Sequence, residues 1–394
     1  MGESEQYIYL DYAATSPLCE EARLAVRPFF HASGTSSVAM RGNANTLYTP
    51  GRFAFSKLEE ARLAIASAIG AKHASEIVFT SGATESVFLA LSGIYFANGC
   101  KEIIVSQIEH ACVIQAAFAI AGKENVILLK PNKFGFIEDE TLEEAISTCK
   151  NPLVSIQFAN SEIGSIQNIE KLCSITKSKG AIFHSDITQA VGKIEVDLGK
   201  LGIDSASFSS HKLGGPFGVG ALYLSKGLKF KSMIKGGGQE EGRRGGTQNV
   251  AGAVGFAAAV RASVSNVDSE AKRLGELKAQ ISEGISQIKS KKNSQFCKLT
   301  VDESGAQGQY LPNISHITLP DIESEVAILR FDESKICVSG GSACSASSSA
   351  PSKVLLALSK PVDEAICALR VSTGRYTTQD EIYKFLDVLE KVIS

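Results

Sequence analysis

Between about residues 75 and 225, short runs of β-branched and apolar residues alternate with stretches whose apolar positions recur at helical spacing. EIVFT (76–80) precedes a helix predicted from Thr84 to about Phe96, EIIVSQI (102–108) precedes one over 111–121, and VILLK (126–130) precedes a third over 140–149. LVSIQF (153–158), AIFHSD (181–186), ASFSS (206–210) and VGALYLS (219–225) read as further strands. Most are nearly continuous in apolar residues, as strands covered on both faces are. Their alternation with helices predicts βαβ units, a largely parallel sheet and right-handed crossovers.

From about 250 to 290 the pattern becomes that of one long helix rich in Ala, Glu, Lys and Ile, which we expect to connect to a second region. After it KLTV (298–301), HITL (316–319) and KICVSG (335–340) alternate with helical stretches at 323–330, 351–359 and 379–393. The expected organisation is a large α/β domain over 15–260 and a smaller α+β domain made of 1–14 and 261–394. Glycines bunch at 214–220 and 236–246, SACSASSSAPS (342–352) is the one tract of low complexity, and no internal repeat is visible.

Composition narrows the function classes. With 44% apolar and 21% charged residues in 394, disorder and collagen-like architectures are excluded. Forty basic against forty-two acidic residues give no general electrostatic footprint for nucleic acid or an anionic membrane, so neither is expected as a direct partner. Nine cysteines, an odd number, do not form a disulfide framework. The opening MGESEQYIYLDYAAT has no apolar stretch of signal-peptide length, and no run of 18 apolar residues follows. A soluble protein of a reducing compartment, the cytoplasm, is the expectation. The six histidines and nine cysteines show no CxxC, HxxxH or HExxH, so no metal site is expected.

Six segments carry candidate chemistry, most with a plainer alternative. In TSGATES (80–86) a strand ends and a helix opens. The first N–H groups of that helix, at Ala83 and Thr84, suit a phosphate, although an ordinary capped βα turn has the same pattern. FSSHKLGGPFGVG (208–220) puts Lys212 on a strand-end loop. A lysine there can be a nucleophile that forms a Schiff base, with Ser209 and His211 donating to a phosphate, or simply a surface lysine. In FHSDITQ (183–189), Asp186 ends an apolar strand, where a carboxylate needs a cation such as a protonated pyridine nitrogen; it could equally be a helix N-cap. His110, in SQIEHACV, stands just past a β-run as an acid/base candidate or a satisfied polar residue. Finally, ICVSGGSACSASSSAPS (336–352) surrounds Cys344 with Gly, Ala and Ser, which marks an exposed thiol and a nucleophile candidate, while the other eight thiols read as core. LRVSTGR (369–375) adds Arg370 and Arg375, suited to bidentate capture of a carboxylate or to surface ion pairs. Neither GxxxxGK[ST] nor a GxGxxG after a strand is present.

The order of LDYAATSP, TSGATES, EHACV, NSEIG, HSDITQAVGK, SFSSHKLGGPFGVGALY, RRGGTQN, SGGSACS and RVSTGR resembles the cysteine desulfurases, pyridoxal-phosphate enzymes of the class-V aminotransferase group. The resemblance runs from about Tyr9 to the C-terminus, and SGGSAC with a downstream PS is similar to the nitrogen-fixation and iron–sulfur-assembly subgroup with a long cysteine loop. It implies fold type I, a mainly parallel sheet flanked by helices plus a smaller α+β domain. It further implies that Lys212 holds pyridoxal 5'-phosphate covalently, that Asp186 pairs with the pyridinium nitrogen, and that His110 stacks on the ring and transfers protons. Gln189 would contact the phenolic oxygen, and Ala83, Thr84, Ser209 and His211 the phosphate, with Thr247 reaching the phosphate of a neighbouring subunit in a homodimer. Arg370, with Asn160 and Ser161, would bind the substrate L-cysteine, and Cys344 would take its sulfur as a persulfide for a protein acceptor in iron–sulfur assembly, tRNA thiolation or DNA modification. The chain departs from the family at Ser161, where a second asparagine is usual, and at Ala44 and Tyr48, where proline and histidine are usual. Alternatives are a selenocysteine lyase, another class-V enzyme, or a non-catalytic scaffold of the same fold.

Overall fold

The computed structural model describes residues 7–30, 42–292, 297–319, 321–341 and 350–393. A short strand β1 (Ile8–Tyr9) leads to α1 (Glu20–Val26) and α2 (Thr49–Ala68). Strands and helices then alternate: β2 (Ile77–Thr80), α3 (Ala83–Asn98), β3 (Glu102–Ser106), α4 (Ala111–Ala121), β4 (Val126–Leu129), α5 (Asp139–Ser147) and β5 (Pro152–Ser155). After β6 (Ser165–Ile166) come α6 (Ile169–Ser178), β7 (Ile182–Asp186), α7 (Leu198–Leu201), β8 (Ser205–Ser209) and β9 (Gly220–Leu224). The second half runs α8 (Val250–Val264), α9 (Val267–Lys292), β10 (Lys298–Leu299), β11 (Gln309–Tyr310), β12 (Ile314–Thr318) and α10 (Ser324–Glu333). It closes with β13 (Ile336–Cys337), α11 (Lys353–Ala357), α12 (Val362–Ile366), β14 (Ala368–Ser372) and α13 (Gln379–Val392).

Seven strands form one sheet in the order β2-β9-β8-β7-β5-β3-β4, in which β9 alone is antiparallel to its neighbours. The sheet is covered on both faces, which is why its strands are apolar throughout. In β3, Ile103 and Val105 join the cluster that holds Val87 and Leu91 of α3 and Val113 of α4. Ile104 between them points to the other cluster, with Leu58 and Ile65 of α2 and Phe256 and Val260 of α8. The expected α/β sheet is therefore the observed one.

A second core lies around the antiparallel sheet β10-β12-β14. Leu277, Ile281 and Ile285 of α9, Phe331 of α10, and Phe385 and Leu389 of α13 fill it, and Leu10 from the N-terminal segment joins them. Parallel pairing of β1 with β13 holds that segment in place. The change of core falls between α8 and α9.

The single long helix expected over 250–290 is two helices, α8 and α9, meeting at a 70° bend. Ser265 and Asn266 sit at the break, and their short polar side chains compete for backbone groups. Asn266 Nδ2 donates to Ala262 O at 3.3 Å, capping α8, while Asn266 O accepts from Glu270 N at 2.9 Å and opens α9. Among the described residues no single helix is long and apolar enough to cross a membrane.

Candidate active site

Strands β2, β3, β5, β7 and β8 run in one direction, so their carboxyl ends lie along one edge of the sheet, where open parallel sheets bind ligands. Lys212 stands in a single 3-10 turn, Ser210–Leu213, directly after β8. Gly214 closes that turn with φ 76°, and a side chain there would meet Pro17 O at 2.9 Å, so only glycine fits. Lys212 Nζ donates to Ala13 O and Ala14 O, both at 2.6 Å. Ser16 N–H donates to His211 O and Cys19 N–H to Gly214 O, so the N-terminal segment is strapped along the lysine turn.

Asp186 is the last residue of β7 and is 8% exposed. Its Oδ1 accepts from Thr188 N at 2.9 Å; a turn and not a helix follows β7, so Asp186 is not a helix N-cap. His110 caps α4, with Nδ1 accepting from Cys112 N at 3.2 Å. Burial pushes the His110 pKa down, Asp186 pulls it up and Lys212 pushes it down again, so the three groups are within electrostatic reach of one another. His211 lies on the other side of Lys212; its Nδ1 is 3.1 Å from Thr15 Oγ1 and its ring stacks on Phe217. Burial first, then Lys212 and Lys193, push its pKa down to about 4, so it is neutral at pH 7.

The N-terminus of α3 is open to a ligand. A Cβ placed on Gly82 would meet only Ser209 Oγ, at 4.0 Å, whereas Gly220 of β9 is packed so closely that a Cβ on it would touch the Gly82 backbone at 2.7 Å. Ala83 and Thr84 form the first turn beyond this opening, and Thr84 is exposed. Gln189 Nε2 donates to Ala13 O at 3.0 Å, while the buried Gln189 Oε1 and Thr188 Oγ1 have no hydrogen-bond partner among the described residues. An amine, a strand-end carboxylate, orphaned polar atoms and an open helix N-terminus beside a serine hydroxyl together fit a phosphate-bearing carbonyl compound.

Arg370, from β14, is 1% exposed and comes from the second core. Its Nη2 donates to Asp11 Oδ1 at 2.7 Å and its Nη1 to Ser161 O at 3.0 Å, while Nε has no partner among the described residues. Ser161 thus meets Arg370 through its carbonyl. Asn160, buried at 1% exposure, holds the turn: Oδ1 accepts from Glu162 N and Ile163 N, and Nδ2 donates to Ile108 O. Arg375 instead pairs with Glu21 at 2.8 Å, which is the surface ion pair of the plainer reading.

Two candidates stand differently. Cys344 lies outside the described residues. Thr247 is exposed and makes no hydrogen bond to the other candidates among the described residues; beside it Gln248 Oε1 accepts from Asn45 Nδ2 at 2.8 Å. Of the departures, Ala44 is buried and Tyr48 is the exposed N-cap of α2.

Sequence reasoning assigned no role to four charged residues around the site. Asp11 pairs with Arg370. Glu109, whose Oε1 accepts from Gln157 N at 2.7 Å, has its pKa pushed well up by burial, with a further push from Asp186. Glu162 accepts from Ser352 Oγ at 2.6 Å, and burial raises its pKa too. Lys193 is pushed down to about 7 by burial and then by Lys212. The available signal was a charge inside each quoted motif: LDYAATSP, EHACV, NSEIG and HSDITQAVGK.

The family model of the class-V aminotransferases matches residues 8–385. The chain is similar to a cysteine desulfurase IscS of Dictyoglomus turgidum, at 38% identity over 98% of this chain and 94% of the relative. It is also similar to a solved NifS-like protein from Rickettsia africae, at 30% identity and a TM-score of 0.85, covering 98% of this chain and 99% of that one. A structure of SspA in complex with cysteine is 30% identical, with a TM-score of 0.76, covering 94% of this chain and 100% of that one.

Proposed function

Because the chain belongs to the class-V aminotransferase family, and within it to the cysteine desulfurases, we propose that it converts L-cysteine to L-alanine with pyridoxal 5'-phosphate and carries the sulfur as a persulfide on Cys344. The observation that carries this reading is the convergence of Lys212, Asp186 and His110 at the carboxyl ends of parallel strands. A transaminase or a bare scaffold needs no thiol in addition to that trio.

The cofactor, when bound, supplies an electron sink next to the substrate Cα. Lys212 offers the amine that would hold it, and Asp186 a carboxylate that is costly to leave without a cation. Gly82, Ala83 and Thr84 at the start of α3, with Ser209 and His211, form the phosphate cradle. Gln189 lies beside the site, tied to Ala13 O.

His110 holds Nδ1 as an acceptor, which leaves its proton at Nε2, so the neutral ring is equipped to pass a proton near Lys212 and Asp186. Arg370 supplies a guanidinium for the substrate carboxylate, with Ser161 O and the Asn160 turn fixing its position. The Cys344 thiolate attacks the substrate sulfur: an S–S bond forms, the Cβ–S bond breaks, and a proton on Cβ completes alanine. Seven of the eight described thiols have their pKa values raised, burial being the largest cause for each, which leaves them poor nucleophiles.

The working unit in this reading is a homodimer. Exposed Thr247 would reach the partner's cofactor phosphate, and the exposed Leu47 and Tyr48 flank the same surface through the Asn45–Gln248 contact. The persulfide then passes to a protein sulfur acceptor. Borohydride reduction of the yellow holoenzyme followed by peptide mapping tests the assignment: the cofactor is expected on Lys212. A protein that takes up no pyridoxal phosphate, or carries it elsewhere, contradicts the reading.

A further inference from the structure

Two groups of Cys112 meet at one ring nitrogen of His110. The backbone N–H of Cys112 donates to Nδ1 at 3.2 Å, and Cys112 Sγ lies 3.0 Å from the same atom. Both come from the first turn of α4, which His110 caps. Any residue other than proline at position 112 would bring the N–H. The thiol is a second donor that the common helix-forming residues, alanine foremost, would not bring.

An imidazole nitrogen has a single in-plane lone pair. An N–H and an S–H aimed at it keep Nδ1 an acceptor, so the neutral ring carries its proton on Nε2. A hydrogen bond made to the neutral form also opposes protonation of the ring. The charged groups facing His110 act in both directions. Lys212 opposes a positive ring and Asp186 favours one, while the neighbouring Glu109 is buried with Oε1 on Gln157 N. The Cys112 thiol adds to the side of Lys212 and burial.

We propose that Cys112 is a positioning residue for His110: its thiol donates to Nδ1 and holds the neutral ring with the proton at Nε2. The inference rests on the assignment of His110 to proton transfer. Cys112 is only half-buried and lies in a helix, so alanine and serine can replace it without leaving a core cavity.

The test uses the 15N-histidine-labelled holoenzyme, with the His110 signals assigned through His110→Gln and followed against pH in long-range 1H–15N spectra. Cys112→Ala is expected to raise the His110 pKa by about half a unit and to bring in the Nδ1–H tautomer, and Cys112→Ser to restore both. The acid limb of kcat/KM should move with the pKa. Spectra of Cys112→Ala that match the wild type overturn the proposal, and so does a fall in the His110 pKa, which would mark a thiolate–imidazolium pair. Full turnover by His110→Gln would instead remove the proton-transfer role, and with it the functional meaning of the contact.

Discussion

Arg370 and Asp11, 359 positions apart in the chain, form an ion pair at 2.7 Å in which the arginine side chain is 2% and the aspartate 17% exposed. An internal carboxylate therefore occupies the guanidinium that is proposed to receive the substrate carboxylate. Breaking such a buried pair from one side costs about 3 kcal/mol. Asp11→Asn should accordingly lower the thermal midpoint by several degrees, and it should also lower KM for cysteine because the competitor is gone. Arg370→Lys keeps the charge but loses the fork and the bond to Ser161 O, so KM should rise at least tenfold. Calorimetry and steady-state kinetics check both, and a raised KM in Asp11→Asn would contradict the exchange.

The segment that carries Thr247 is anchored by a second buried pair. Arg62 Nη1 donates to Glu240 Oε2 at 2.6 Å and Nη2 to Oε1 at 3.0 Å, and Phe79 N on β2 also donates to Oε2. Glu240 sits at φ 51° and Glu241 at φ 55°, conformations that need this support. Glu240→Ala should destabilise the fold by about 3 kcal/mol, read from urea unfolding. If Thr247 reaches a partner's phosphate, the same variant should also bind pyridoxal phosphate more weakly.

Lys193 gives a pH signature. Its amine is buried without a hydrogen-bond partner among the described residues, and burial and then Lys212 lower its pKa from 10.5 to about 7. A base whose folded pKa is depressed binds its proton more readily when unfolded. Its stabilising share is thus present above pH 10.5 and is lost as pH falls through the folded value near 7. Lys193→Met removes this dependence. The variant should gain on the wild type by a few kcal/mol at pH 6, with the gap closing toward pH 10 in urea midpoints. A constant difference across that range would show that Lys193 does not titrate as its burial requires.

The legibility of the sequence follows the range of each interaction. Apolar runs marked every strand of the main sheet, since a strand covered on both faces leaves a local signature, and the motif after each strand end located Lys212, Asp186, Ser209 and His110. The break at Ser265 and Asn266 was missed because helix periodicity continues through it; the turn shows only in which core each half faces. The Asp11–Arg370 pair, the Glu162–Ser352 bond and the burial of Lys193 join distant parts of the chain, and no local pattern encodes them. Asn160 shows the converse: the resemblance implied a substrate contact, and its Oδ1 is taken by the turn it closes.

The central claim, that sulfur leaves L-cysteine onto a protein thiol, is tested by incubating the holoenzyme with L-cysteine and dithiothreitol and measuring alanine and sulfide together. Equal amounts of the two are expected from the wild type, and neither beyond background from Cys344→Ala or Lys212→Ala. Sulfide and alanine released by Cys344→Ala at the wild-type rate would contradict the account.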